Sequence, residues 1–147
     1  MVNRSKEEVY MCAYLLACMG RPVDAAAIVQ CLREGAARQL WDFILLSADA
    51  RRTLFVDYDG GRYHGGDRLP YDSQKTRDAL RRYPNARVLR IRTKGAAAMA
   101  TDVEGAFVVQ GDDVVYGKSP AKMTRLARRV ARSAREAFRW ILDEDEM

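Results

Sequence analysis

Cysteine and histidine are scarce in this 147-residue chain, which has three of the first and one of the second. Cys12, Cys18 and Cys31 are odd in number and include no CxxC pair, which argues against a disulfide framework and fits buried, reduced thiols. His64 lies far from them in sequence, so a structural zinc site is not expected. Long apolar runs are missing as well. Uncharged stretches such as residues 9–20 and 95–101 fall short of the ~20 residues a membrane span needs. Arg4, Lys6, Glu7 and Glu8 lead into the first of them without the small-residue cleavage pattern of a signal peptide. The expectation is an intracellular protein, cytoplasmic or nuclear, that is not secreted and has no membrane partner. Internal repeats and low-complexity segments are also lacking. What is present, 48% hydrophobic and 31% charged residues, is the composition of a folded domain, and the length suits one core. A single domain over 1–147 is expected.

Charge is distributed unevenly. Between Lys75 and Lys94 stand Lys75, Arg77, Arg81, Arg82, Arg87, Arg90, Arg92 and Lys94 against Asp78 alone. Between Lys118 and Trp140 stand Lys118, Lys122, Arg125, Arg128, Arg129, Arg132, Arg135 and Arg139 against Glu136. These two blocks hold 16 of the 25 basic residues and 2 of the 20 acids, so the remainder of the chain is acidic. A basic surface attracts phosphates and an acidic cluster holds divalent cations, a combination suited to a metal-dependent nuclease. Solvated charged faces are the simpler reading of either block taken alone.

The element pattern is mixed. Ser5 to Met19 reads as a helix, with Ser5 and Glu8 in capping-box spacing, Val9, Cys12, Ala13 and Leu16 on one face, and Gly20 and Pro22 ending it. Residues 24–34 suit either a short helix capped by Asp24 or a strand through Ile28 and Val29. Gln39 to Ser47 and Thr53 to Tyr58 read as strands joined by a hairpin link at Ala48 to Arg52. A loop through Gly60, Gly61, Gly65, Gly66 and Pro70 follows, then a helix over Tyr71 to Tyr83 and a strand over Ala86 to Arg92. Ala106 to Gln110 and Val114 to Tyr116, around Gly111-Asp112-Asp113, read as a small hairpin. Ser119 caps a long final helix that places Met123, Leu126, Ala127, Val130, Ala134, Ala137, Phe138 and Ile141 on one face. This order predicts an α/β fold with a central sheet. Asp143 to Glu146 add four acids after the helix, where they oppose its dipole, and a frayed tail is expected there.

The chemistry concentrates between Trp41 and Lys75. Asp57 and Asp59, two apart at the end of an apolar strand, point to one side and repel each other unless a cation or proton lies between them. Asp42, on the neighbouring strand, completes the cluster if the two strands pair. An acid between Trp41 and Phe43 in an apolar strand is costly unless it is paired or bound to metal. Oxygen ligands of this kind suit magnesium or manganese.

In order along the chain, Ser5-Lys6-Glu7-Glu8, Asp42-Phe43, Asp57-Tyr58-Asp59-Gly60 with His64, Asp72 with Lys75, and Arg90-Ile91-Arg92 resemble the PD-(D/E)XK nuclease superfamily. The likeness is to its very-short-patch-repair (Vsr)-like branch, which includes the EDxHD homing endonucleases, and it covers roughly residues 5–95. The resemblance implies a restriction-endonuclease-like central mixed sheet flanked by helices, a nuclease-like core over about 5–95, and a small hairpin and long basic C-terminal helix over 96–147. It implies that Asp42 and Asp57 bind Mg2+ or Mn2+, with Glu8 approaching from the first helix. Asp59 and His64 would position or deprotonate the attacking water, and Asp72 and Lys75 would support the site or contact phosphate. The superfamily's usual lysine, two residues after the second acid, is Asp59 here, as in the Vsr-like branch, and a zinc site of some relatives is absent.

Each residue also has a plainer reading. Glu8 closes a capping box, Asp59-Gly60 is a turn, His64 is a hydrogen-bonded loop residue, Asp72 is an N-cap and Lys75 is a solvated side chain. Arg125, Arg129 and Arg132 fall on one stripe of the final helix. With Arg90 and Arg92 they are the candidate nucleic-acid contacts, and a solvated face is the alternative. The function expected is a metal-dependent DNA endonuclease or nickase that hydrolyses phosphodiesters. The alternative is a nuclease-fold module that binds nucleic acid without turnover. An RNA-binding or protein-interaction domain led by the basic helix would leave Asp42, Asp57 and His64 unexplained.

Overall fold

Residues 27–29, 41–47, 51–60, 66–100, 103–115, 117 and 119–141 are described by a computed structural model of the chain. The expected opening helix at Ser5 to Met19 and the expected acidic tail lie outside these residues. The elements are β1 (Ala27–Val29), β2 (Phe43–Leu46), β3 (Thr53–Asp59), α1 (Leu69–Arg82), β4 (Ala86–Arg92), β5 (Ala106–Gln110), α2 (Pro120–Ser133) and α3 (Arg135–Ile141). The strands form one sheet in the order β1-β2-β3-β4-β5. The β1–β2 and β2–β3 pairs are antiparallel, while β3–β4 and β4–β5 are parallel. The fold is therefore mixed α/β, as the element order predicts, and the ambiguous segment around Ile28 resolves as strand.

Period-two patterning divides the sheet into two faces. Leu54 and Val56 of β3, Leu89 and Ile91 of β4, and Val109 of β5 pack with Met123, Leu126, Ala127 and Val130 of α2 and with Ala137, Phe138 and Ile141 of α3. Phe55 and Val88, on the alternate positions, pack with Trp41, Ile44 and with Ala79 of α1. Thus α1 covers one face, and α2 and α3 cover the other. Every apolar residue expected on the core side of the final helix is buried there. The helix is interrupted at Ala134, whose φ of −108° and ψ of 26° separate α2 from α3. Ser119 caps it as expected, accepting a hydrogen bond from the Lys122 N–H at 3.2 Å.

Two expectations are corrected. Helix α1 starts at Leu69 rather than Tyr71, because Pro70 occupies its first turn, where no backbone N–H is needed. Asp72 therefore lies inside the helix and is not its N-cap. Its own N–H donates to the Arg68 carbonyl at 3.0 Å.

The second correction concerns the predicted hairpin. Ala106–Gln110 is a strand, but it adds to the open edge of β4 in parallel. Residues 111–114 form a turn, closed by Val114 N–H to the Gly111 carbonyl at 3.1 Å. The Val114 carbonyl accepts from Lys94 N–H at 2.8 Å instead of pairing across a hairpin. An available β4 edge satisfies more backbone groups than a two-strand ribbon would. The connection back to β5 passes Gly105, whose φ of +87° is readily reached only by glycine and whose carbonyl accepts from Val88 N–H at 3.0 Å.

If α3 is a core element, Phe138→Ala should lower unfolding free energy by about 3–5 kcal/mol. Ser119→Ala should cost about 1 kcal/mol, and the exposed Arg135→Ala should fall within about 0.5 kcal/mol of wild type. Urea unfolding monitored by circular dichroism measures all three.

Candidate functional site

The alternation that turns Phe55 and Val88 toward α1 also turns Asp57, Asp59, Arg90 and Arg92 to that face, at the carboxyl ends of two parallel strands. In open α/β sheets that edge is the usual place for ligand sites. The register sets Asp57 beside Arg90 and Asp59 beside Arg92. Opposite charges at directly paired positions attract, so the register itself is favoured by the pairing.

Arg90 lies at the centre and is 0% exposed. Its Nη1 approaches both Asp59 oxygens, at 3.1 and 3.0 Å, and Asp57 Oδ2 at 3.2 Å. Its Nε donates to Thr76 Oγ1 at 2.7 Å and its Nη2 to the Asp72 carbonyl at 3.0 Å. Burial alone would weaken the guanidinium's hold on its proton. Asp59, Asp57 and Asp72 outweigh that effect and raise its pKa above the ordinary arginine value. Arg92, 1% exposed, donates from Nη1 to Asp59 Oδ2 at 2.7 Å and to Asp72 Oδ2 at 3.1 Å. Its Nε reaches the Ala97 carbonyl at 2.8 Å. The β4–β5 connection is thereby fastened over the site, and Gln110 fixes it further through both backbone polar groups of Met99, at 2.9 and 2.8 Å.

The outer part of the site is built from Asp42, Asp57 and Lys75. Phe43 pairs with Val56, so the same register extended by one residue sets Asp42 opposite Asp57. Asp42 N–H donates to Asp57 Oδ1 at 3.1 Å, and Tyr58 N–H donates to Asp42 Oδ2 at 2.6 Å. Each carboxylate thus ties down the backbone of the other's strand. Lys75 Nζ, from α1, lies 2.8 Å from Asp57 Oδ2 and 4.3 Å from the centre of the Trp41 ring. Trp41 also faces the Arg90 guanidinium at 5.5 Å and stacks against Phe55 at 5.1 Å.

The predicted site residues thus fall into four groups. Asp42, Asp57, Asp59, Asp72 and Lys75 come together, and Asp57 and Asp59 do point to one side. The cation between them is a guanidinium. Asp59 is 0% exposed and engaged by both arginines, so it is not placed to orient a water. Arg90 and Arg92 are buried counter-ions and cannot lie on a phosphate-contacting surface. Glu8 and His64 lie outside the described residues.

On the final helix, Arg125 and Arg132 are exposed as expected. Arg129 is tied to Asp113, Ser133 and the Gln110 carbonyl, and it is Arg128 that shares the exposed face. The hydrogen bond from Arg129 holds the Asp113 carboxyl below the usual aspartate range. Because α1 and α2 cover opposite faces of the sheet, the α1 helix, Arg90-Ile91-Arg92 and the C-terminal helix do not form one continuous basic surface.

Thr76 and Trp41, neither of them among the expected site residues, also contribute. Asp72, Lys75, Thr76 and Ala79 are the buried residues of α1, a spacing that is a core stripe written largely in polar residues.

The divalent ion expected at Asp42 and Asp57 does not fit this arrangement. Among the described residues no three Asp, Glu, His or Cys side chains form a group able to hold one. Asp57 Oδ2 already faces Lys75 and Arg90, and the Asp59 oxygens face Arg90 and Arg92. No protein-family model matches the chain, and comparisons with curated proteins and with solved structures return no match.

Breaking the buried network should be costly. Asp59→Asn strands charge on two buried arginines and is expected to destabilise by about 3–5 kcal/mol. Asp78→Asn, which weakens surface contacts with Arg81 and Gln74, should cost less than about 1 kcal/mol. Parallel chemical denaturation of the two variants measures the difference, and similar losses would contradict the network's central place.

Proposed function

We propose that this chain binds DNA and hydrolyses a phosphodiester, as an endonuclease or nickase of the Vsr-like, restriction-endonuclease-like kind. One observation carries the proposal. Asp42 and Asp57, from adjacent strands, are clasped to each other's backbone with the Lys75 ammonium 2.8 Å from Asp57, at the carboxyl ends of parallel strands. The superfamily's lysine is missing two residues after the second acid, and here α1 supplies an amine to that acid. The order of an antiparallel meander, a helix and a parallel strand also supports the restriction-endonuclease-like reading.

In this reading Lys75 at the rim offers positive charge to phosphoryl oxygens as the bond breaks. Asp57 and Trp41 orient it. Glu8 and His64 keep the roles the resemblance implies, His64 accepting the proton of the attacking water. Dependence on Mg2+ or Mn2+ is implied by the resemblance alone and is a requirement to be tested, because Asp57 is already paired with Lys75 and Arg90. Lys122, Arg125, Arg128 and Arg132, all exposed on α2, are the proposed DNA-backbone contacts. No described helix is long and apolar enough to cross a membrane, and an intracellular compartment remains part of the proposal on the cysteine pattern.

A second reading, a nucleic-acid-binding module without turnover, is favoured by one specific feature. Asp59, at the position of the missing lysine, is wholly engaged by Arg90 and Arg92.

Supercoiled plasmid incubated with the protein and Mg2+, Mn2+ or EDTA separates the two. The nuclease reading expects metal-stimulated nicking or linearisation that Asp57→Asn abolishes while DNA affinity is retained. Binding without cleavage under every condition would support the module instead. Replacing Arg125, Arg128 and Arg132 together by Ala should weaken binding to all DNA sequences alike. It should also flatten the salt dependence by about 0.9 in log–log slope for each phosphate no longer neutralised. Unchanged affinity and slope in a filter-binding titration would show that this face of α2 is merely solvated.

A further inference from the structure

We propose that Arg87, held between the rings of Trp140 and Phe107, is a preset contact for a phosphate group of a nucleic-acid strand. The inference rests on the nucleic-acid-binding part of the reading above and is independent of cleavage. It adds a contact outside the acid cluster and outside α2.

Strand β4 carries three arginines, and their parity separates them. Arg90 and Arg92 point toward α1 and are matched by acids of β3 and α1. Arg87 alternates with Val88 and shares the parity of Leu89 and Ile91, which pack with α2 and α3. The register sets it beside Leu54, so its partner position on β3 holds no charge. It meets aromatic rings instead. Its guanidinium carbon lies 4.5 Å from the centre of the Trp140 ring and 6.0 Å from that of Phe107. Among the described residues no acid forms an ion pair with Arg87, and no acceptor takes a hydrogen bond from its guanidinium.

Stacking fixes a guanidinium without consuming its donors. The rings cover its face, whereas the N–H groups lie in its plane and stay available to an acceptor. Arg87, Trp140 and Phe107 are all half-buried, so the side chain is restrained yet still reached by solvent. A fork oriented in advance loses less freedom when it takes an oxyanion through two hydrogen bonds. Arg52 approaches the same Trp140 ring at 5.7 Å but has further contacts of its own, so Arg87 is the group whose donors await a partner.

Charge complementarity identifies the occupant. Lys122, Arg125, Arg128 and Arg132 are exposed on α2 and Arg135 on α3, the two helices that cover this same face of the sheet. A strand with a phosphate at every nucleotide engages Arg87 and several of these cations together, which a lone carboxylate does not. Aromatic rings beside a basic track also suit the bases of such a strand.

The test is binding in EDTA, where cleavage plays no part, with a fluorescent duplex oligonucleotide followed by anisotropy over a range of salt. Arg87→Gln should bind roughly tenfold more weakly than wild type, because charge-assisted hydrogen bonds are lost. Its log–log salt slope should be smaller by about 0.9, for the one phosphate no longer neutralised. Arg87→Lys keeps the charge without the stacked fork, and its affinity should fall between the two. Wild-type affinity in Arg87→Lys would show charge alone at work and contradict the preset fork. Oligonucleotide binding should also change the tryptophan emission of wild type more than that of Trp140→Phe. Unchanged affinity and slope in folded Arg87→Gln would overturn the proposal even if plasmid is cleaved. Arg87-dependent binding without cleavage would uphold it while the nuclease reading fails. Should Arg87→Gln not fold, the emission decides, and equal changes in wild type and Trp140→Phe would be contrary. Arg87-dependent binding of polyglutamate with no binding of the oligonucleotide would overturn it in favour of an acidic protein partner.

Discussion

A fully buried guanidinium is stable only where nearly every N–H meets an acceptor, and this requirement at Arg90 organises the molecule around it. Taking such a charge out of water costs several kcal/mol even after the protein relaxes. Here Asp57 and Asp59 return that cost from β3, and Thr76 and the Asp72 carbonyl return it from α1. The acceptors come from two elements, so the same contact fixes the β3–β4 register and the docking of α1. Arg92 extends the arrangement to the β4–β5 connection through Ala97. Displacing any one of these elements would leave a buried charge unmatched.

This constraint explains why the candidate site has an inner and an outer part. Inside, Asp59, Asp72, Arg90 and Arg92 are buried and ion-paired with one another and act as scaffold. Around it, Asp42, Asp57 and Lys75 form a second set of contacts, with Asp57 and Lys75 themselves buried. The exposed arginines of α2 lie on the helix that covers the other face of the sheet, away from Lys75.

Most of the architecture was legible because the apolar residues keep their periods. The alternation Leu54, Val56 against Phe55, and Leu89, Ile91 against Val88, located β3 and β4, and the apolar stripe of the final helix was complete. The acid cluster was legible too, from strand spacing and the cost of placing Asp42 in apolar surroundings. The fate of Arg90 and Arg92 was harder to see. They occupy the core parity of β4, continuing Ala86 and Val88, but arginine is so seldom fully buried that a surface role was the natural expectation. The signal was that parity, together with matching acids at the same parity of β3. The hairpin failed for a different reason. Gly111-Asp112-Asp113 is sound turn chemistry, and nothing local reveals that β4 has an open edge for residues 106–110. Which strand accepts a partner is settled by tertiary structure, not by the segment itself.

The central claim is that Arg90 is a dry, fully matched ion at the heart of the site, and side-chain hydrogen exchange tests it within one molecule. The Nε–H of Arg90 and that of the exposed Arg125 can be followed together by nitrogen-resolved NMR. The structure predicts that the Arg90 proton exchanges with solvent orders of magnitude more slowly, because its release requires α1 to open from the sheet. Exchange of the Arg90 proton at the rate of Arg125 would contradict the account.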